Sequence, residues 1–206
     1  MPPRTKIKHR YTDFGKDRIE VARYIVKYKD VFSLDALYKL MHEWLVEEGW
    51  ATRKDEDFPE VLFLQKESPV SGKEIWFRWR LQKAPWPAKY KFWRFVLDVD
   101  AHVLGLKPAE LIFKGQKFSA DKGEIEVTVV ASLVVDYEKA WEKTTWLKSI
   151  KRLWVNRVVK RTREMLRKSL YEEAYRLREA ITSYLKLETY MTEREDLEFW
   201  LKRTLE

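Results

Sequence analysis

Residues 146–169, WLKSIKRLWVNRVVKRTREMLRKS, carry nine Lys or Arg against a single acid, Glu164, and contain no Gly or Pro. Their local charge of +8 equals the net charge of the whole 206-residue chain. The run without Gly or Pro continues through Leu187, which predicts a long helix. Plotted at about 100° per residue, Trp146, Ile150, Leu153 and Trp154 form one apolar stripe. Val155, Val158, Val159, Met165, Leu166 and Leu170 form a second, rotated from the first. A straight helix cannot bury both against one flat surface, so either it bends near Trp154 or one stripe faces a second partner. Arg157, Lys160, Arg161, Arg167 and Lys168 lie opposite the second stripe and give this half a cationic back, with Lys148, Lys151 and Arg152 just before it. Ala174, Leu177, Ile181, Tyr184 and Leu185 continue the apolar face, and Thr192 to Glu206 reads as a short terminal helix.

Upstream, the pattern is that of a sheet on which this helix can lie. Residues 1–17 carry Arg4, Lys6, Lys8 and Arg10 without apolar periodicity, which predicts a flexible basic arm. Arg18 to Phe32 is rich in β-branched and aromatic residues and reads as a strand. Ser33 then has the character of an N-cap, and Leu34, Leu37, Leu40, Met41, Trp44 and Leu45 recur at helical spacing up to a stop at Gly49. His42 lies off that stripe and reads as a partly exposed structural residue. Further strands are predicted at 61–66, 73–82, 90–104, 109–118 and 124–136. Turns fall at Ser68 to Gly72, Pro85-Trp86-Pro87, Gly105 to Pro108 and Asp121 to Gly123. Their alternation places Ile75, Phe77, Trp79 and Leu81, then Trp93, Phe95, Leu97, Val99, Ala101 and Val103, and finally Ile125 through Val135 at every second residue, on one apolar face.

The expected fold is therefore α+β, with residues 18–136 forming a strand, a helix and then an antiparallel sheet, five to six strands in all, and residues 137–206 adding helices to the same domain. This order of elements resembles that of helix-grip folds such as START-like lipid-binding domains. The resemblance implies a lipid-binding alternative with an apolar cavity under the long helix.

The totals narrow the chemistry. The chain has no Cys, which excludes disulfides, thiolate metal sites and Cys nucleophiles. No secretory signal and no run of about 20 apolar residues is present, so a cytoplasmic protein is expected. Charged residues reach 36% of the chain, a level that heat-adapted ion-pair networks also produce, but the basic excess and a pI near 9.4 point to a polyanionic partner.

Three readings of the basic helix stand open. Its cations can neutralise phosphates while a nearby Trp stacks on unpaired bases, its apolar and basic faces can lie in the headgroup layer of an anionic membrane, or its back can be solvated or paired with acids such as Asp55, Glu56 and Asp57. RNA or a ribonucleoprotein is the expected partner, a membrane surface the alternative and self-assembly through the spare stripe a third course. No small-molecule substrate, cofactor or catalytic residue is predicted. The weak candidates for a metal are Asp98, Asp100 and His102, which alternate on one strand face; Glu124 and Glu126 join them if their strand is adjacent. Leu97-Asp-Val-Asp100 resembles the paired-Asp strand of archaeo-eukaryotic primases, although that family's downstream Ser-x-His element is missing. Trp76, Arg78 and Arg80 share a strand face suited to base stacking, but a covering helix would make Trp76 core, and burial is the favoured outcome.

Overall fold

The computed structural model describes residues 17–52, 54, 57–85, 92–113 and 116–203, with the side chains of 110–113, 116–119, 145, 148, 152 and 187–203 outside the description. Strands β1 (Arg18–Phe32), β2 (Glu60–Ser68), β3 (Gly72–Lys83), β4 (Trp93–Phe113) and β5 (Gln116–Val135) form one antiparallel sheet in the order β1-β5-β4-β3-β2. Helix α1 (Leu34–Glu47) lies between β1 and β2 in sequence. Helix α2 (Thr145–Leu153), a π-helical turn (Trp154–Val158) and helix α3 (Lys160–Arg203) follow β5.

One face of the sheet holds the core. Period-two alternation sends Phe77, Trp79, Leu81, Phe95, Leu97, Val99, Val127, Val129 and Leu133 inward, each no more than 1–2% exposed. Leu37, Met41 and Leu45 of α1, together with Leu166, Leu170, Ala174, Leu177, Ile181 and Leu185 of α3, cover them. Ser33 caps α1 by accepting a hydrogen bond from the Ala36 amide, and Gly49 ends it at a φ of +74° that favours glycine. Polar contacts clamp α3 in place. The Tyr184 hydroxyl donates to the Ser33 carbonyl at 3.2 Å, and Lys83 Nζ bridges the Glu48 carbonyl at 2.7 Å and Glu173 at 3.0 Å.

The buried Tyr24 hydroxyl donates to the Ala174 carbonyl at 2.9 Å, and burial pushes its phenol well above the ordinary value. Tyr24→Phe is expected to lower stability by about 1 kcal/mol by removing that hydrogen bond. Thermal unfolding followed by circular dichroism should show it as a fall in Tm of about 2–4 °C.

The structure corrects several expectations. Gly105 to Pro108 is a bulge inside β4 and Asp121 to Gly123 lies within β5, so the strand predicted at 109–118 is divided: 109–113 continues the strand predicted at 90–104 as β4, whereas 116–118 opens β5, which runs on through the strand predicted at 124–136, and the two pair from Trp93↔Val135 to Phe113↔Gln116. The β3 register stops at Leu106, and beyond it Pro108 sits where β4 has no β3 neighbour to need its missing N–H. The terminal segment is not a separate helix, since α3 runs unbroken for 44 residues, about 66 Å. Residues 1–16 of the expected arm lie outside the described residues, as do Asp55 and Glu56, whereas Asp17 is held in an ion pair with Lys151.

The two apolar stripes are reconciled by the π turn. The Val159 amide bonds to the Trp154 carbonyl five residues back, and Val159 itself leaves helical geometry at φ −102° and ψ 20°. The helix is therefore interrupted where the stripes change phase. Trp154 turns inward against Phe92 and Trp141, with ring centroids 5.3 and 4.9 Å away, while Trp146 and Leu153 of the same stripe stay outside.

Candidate functional site

The interrupted helix presents a mixed surface. Trp146 is 69% exposed, Leu153 59%, Val158 69% and Met165 50%. Val158 and Met165 were expected in the buried stripe, but only Val155, Leu166 and Leu170 of that set are fully buried and Val159 is partly so. Arg157, Lys160 and Arg161 are exposed beside them and have no ion pair among the described residues. These three cations fall within five residues, at the junction of the π turn and α3.

The other basic residues of the expected site differ from them. Lys151 is only 8% exposed. Its ammonium lies 2.8 Å from Asp17, 3.2 Å from Asp136 and 3.9 Å from Glu142, so it is a structural ion and not a surface contact. Burial would push its amine down, but the hydrogen bonds from Asp17 and Asp136 outweigh that and hold it above the ordinary value. Arg167 is half-buried and donates to Glu164 at 3.2 Å, while Lys168 stands exposed 3.8 Å from Glu172. Arg163 donates to Glu164 at 2.9 Å and to Asn156 at 2.7 Å, and its hydrogen bond holds the Glu164 carboxyl below the usual range. The side chains of Lys148 and Arg152 lie outside the described residues.

Among the described residues α3 does not cover the other face of the sheet, which corrects the expectation for Trp76. Its ring stacks on His102 at 4.9 Å and an interplanar angle of 12°, and Lys66 Nζ stands 5.1 Å from its centroid. The stacking surface is thus already engaged within the protein.

The metal candidates lie on the same open face and are likewise engaged. Asp98 accepts from Arg18 at 2.6 Å and lies 3.7 Å from Arg80; Asp100 accepts from Arg80 at 2.7 Å and lies 3.6 Å from Arg78. His102 pairs with Glu74 at 2.9 Å. The register does bring Glu126 opposite His102, but Glu126 is bound to Lys27 at 2.7 Å and Glu124 lies 3.6 Å from Lys29. Among the described residues, no group of three or more His, Asp or Glu gathers as a metal site.

Two hollows open elsewhere. One of 590 Å³ lies between α1 and the segment before β2, lined by Asp35, Tyr38, His42, Glu43, Phe58 and Glu60, with His42 packed 4.2 Å from Phe58. The other, of 670 Å³, lies at the β1-β5-β4 end of the open face. Neither is the cavity under the long helix that a lipid-binding domain would use. Among the described residues no helix is long and apolar enough to cross a membrane. The sequence matches no family model, and no curated protein matches it.

Proposed function

We propose that this chain is a non-enzymatic cytoplasmic binding protein that contacts RNA or a ribonucleoprotein through the junction of the π turn and α3. The observation that carries this reading is the trio Arg157, Lys160 and Arg161, exposed and without ion pairs among the described residues, whereas Lys151, Arg163, Arg167 and Lys168 on either side of it are each paired with an acid. Closely spaced cations release counterions from a phosphate backbone, and exposed Trp146 supplies a ring on which an unpaired base can stack. Lys168 extends the cationic surface along α3.

The test is the triple variant Arg157→Glu/Lys160→Glu/Arg161→Glu, titrated against mixed single-stranded RNA by fluorescence anisotropy at several salt concentrations. The expected result is a loss of affinity on the order of ten- to a hundred-fold, with the slope of log K against log salt flattened by about 2, the share of three phosphates on a single strand. Unchanged affinity and slope would reject the assignment.

Exposed Leu153, Val158 and Met165 favour a second reading, peripheral binding to an anionic membrane, because aliphatic side chains gain little from phosphates but insert readily among headgroups. In that case anionic liposomes sediment the protein, RNA does not bind, and Val158→Ser weakens sedimentation.

A further inference from the structure

On the open face the cross-strand rungs follow a rule of opposite charges. Lys27 faces Glu126, Lys29 faces Glu124, Lys66 faces Glu74, Arg78 faces Asp100 and Arg80 faces Asp98. On the β4–β5 ribbon, Lys107 faces Lys122. This is the one rung in the described register on which two cations stand directly opposite, an arrangement that destabilises a sheet unless an anion lies between them. Both side chains are exposed, and neither ammonium has an ion pair among the described residues.

The backbone beside that rung is irregular. β4 shifts register between Leu104 and Lys107, and Gly105 takes a φ of +63° within the bulge. A Cβ at Gly123 would come 3.1 Å from the Leu104 carbonyl and from the Leu106 side chain, so any larger residue there would have to push these neighbours aside by a few tenths of an ångström. The resulting hollow of 670 Å³ is lined by both lysines, both glycines and Leu104, which is 42% exposed, together with Lys29, Asp30 and Glu124. Lys29 lies 3.6 Å from Glu124, so these two charges largely cancel, leaving Lys107 and Lys122 against Asp30 alone. The volume exceeds that of a bare ion, and Leu104 offers an apolar wall.

The geometry points to a binding site for a phosphoryl group, free or carried as a phosphomonoester, held between Lys107 and Lys122 over the Gly105–Gly123 hollow. Lysine acts there as a mobile point charge on phosphate oxygens. The site lies on the sheet face that α3 leaves uncovered and does not depend on the helix cations.

The intact chain would be titrated with inorganic phosphate and, separately, with phenyl phosphate, each at ionic strength matched with sodium chloride to remove general screening. The readouts are amide shifts at Gly105 and Gly123 and the thermal midpoint. The expected result is saturable binding that Lys107→Gln weakens at least about ten-fold and Lys122→Glu removes. Without ligand, Lys122→Glu should also raise Tm, since it turns a like-charge rung into an opposite pair; a binding loss with Tm unchanged or raised separates ligand contact from unfolding. Saturation by inorganic phosphate assigns the free anion as sufficient, and saturation by phenyl phosphate alone assigns a phosphomonoester. Failure of both to saturate below about 50 mM, or saturation unaltered in Lys107→Gln and Lys122→Glu, would overturn the proposal. Arg157→Glu/Lys160→Glu/Arg161→Glu should leave this binding intact, so the two sites can fail independently.

Discussion

Lys151→Met is expected to lower stability by about 3–5 kcal/mol, the cost of leaving the buried Asp136 carboxylate without its cation. For a chain of this size that corresponds to a Tm about 6–20 °C lower, measurable by calorimetry. The loss comes from what stays behind and not from the lost attraction alone. Asp136 retains a side-chain exposure of only 2% and sits at a φ of +52°, fixed there by two contacts from the Trp141 amide at 3.1 and 3.3 Å. Without Lys151 its charge has no way to reach water unless β5 parts from α2. Lys151→Met/Asp136→Asn should therefore recover much of the loss, because Asn accepts the same amide, tolerates the left-handed backbone and carries no charge. A single variant that costs less than about 1 kcal/mol would mean that the cluster does not fasten α2 to the sheet.

The same cluster predicts alkaline behaviour. An amine whose folded value is raised contributes its full stability below the unfolded value of 10.5 and loses it as pH climbs through the folded one. Tyr24 adds to the trend, since the unfolded phenol ionises near 10.0 while burial keeps the folded one neutral. The unfolding midpoint should be insensitive to both groups below about pH 10 and fall above it, and Lys151→Met should flatten part of that fall.

Burial of Lys151 was not legible in the sequence because its partners Asp17 and Asp136 are remote along the chain, so the lysine resembled every other cation of the basic helix. The strands were legible for the opposite reason. Period-two alternation is local, and Ile75, Phe77, Trp79 and Leu81 sit inward as their spacing predicts. Local signals failed where long-range pairing decides. Gly105 and Pro108 have turn chemistry, yet the ladder continues past them because β5 supplies hydrogen bonds on the far side of the bulge. Which face α3 would cover was equally hidden. Trp76 is of a residue type that is usually well buried, yet it shares its strand face with Arg78 and Arg80 and lies on the open side, stacked on His102. Helical phase carried through the chain up to the π turn, where a five-residue hydrogen bond resets it, and for that reason Val158 and Met165 were placed in the wrong stripe.

That misplacement makes α3 testable on both of its faces. Leu177→Ala should cost about 2–5 kcal/mol, since its side chain is fully buried in the seam between α3 and the sheet, where the rigid strands cannot close the resulting cavity. Met165→Ala, twelve residues earlier on the same helix, should change stability by no more than about 0.5 kcal/mol, as its side chain is half in solvent. The contrast reverses only for membrane binding. Leu177→Ala touches no exposed group and should leave the RNA affinity of the folded protein unchanged, and Met165→Ala should leave it nearly unchanged too, but weaken sedimentation with anionic liposomes if the aliphatic surface enters a membrane. A Met165→Ala loss comparable to that of Leu177→Ala would show that this face is covered in the folded protein, and the proposed interface would then have to move off α3 altogether.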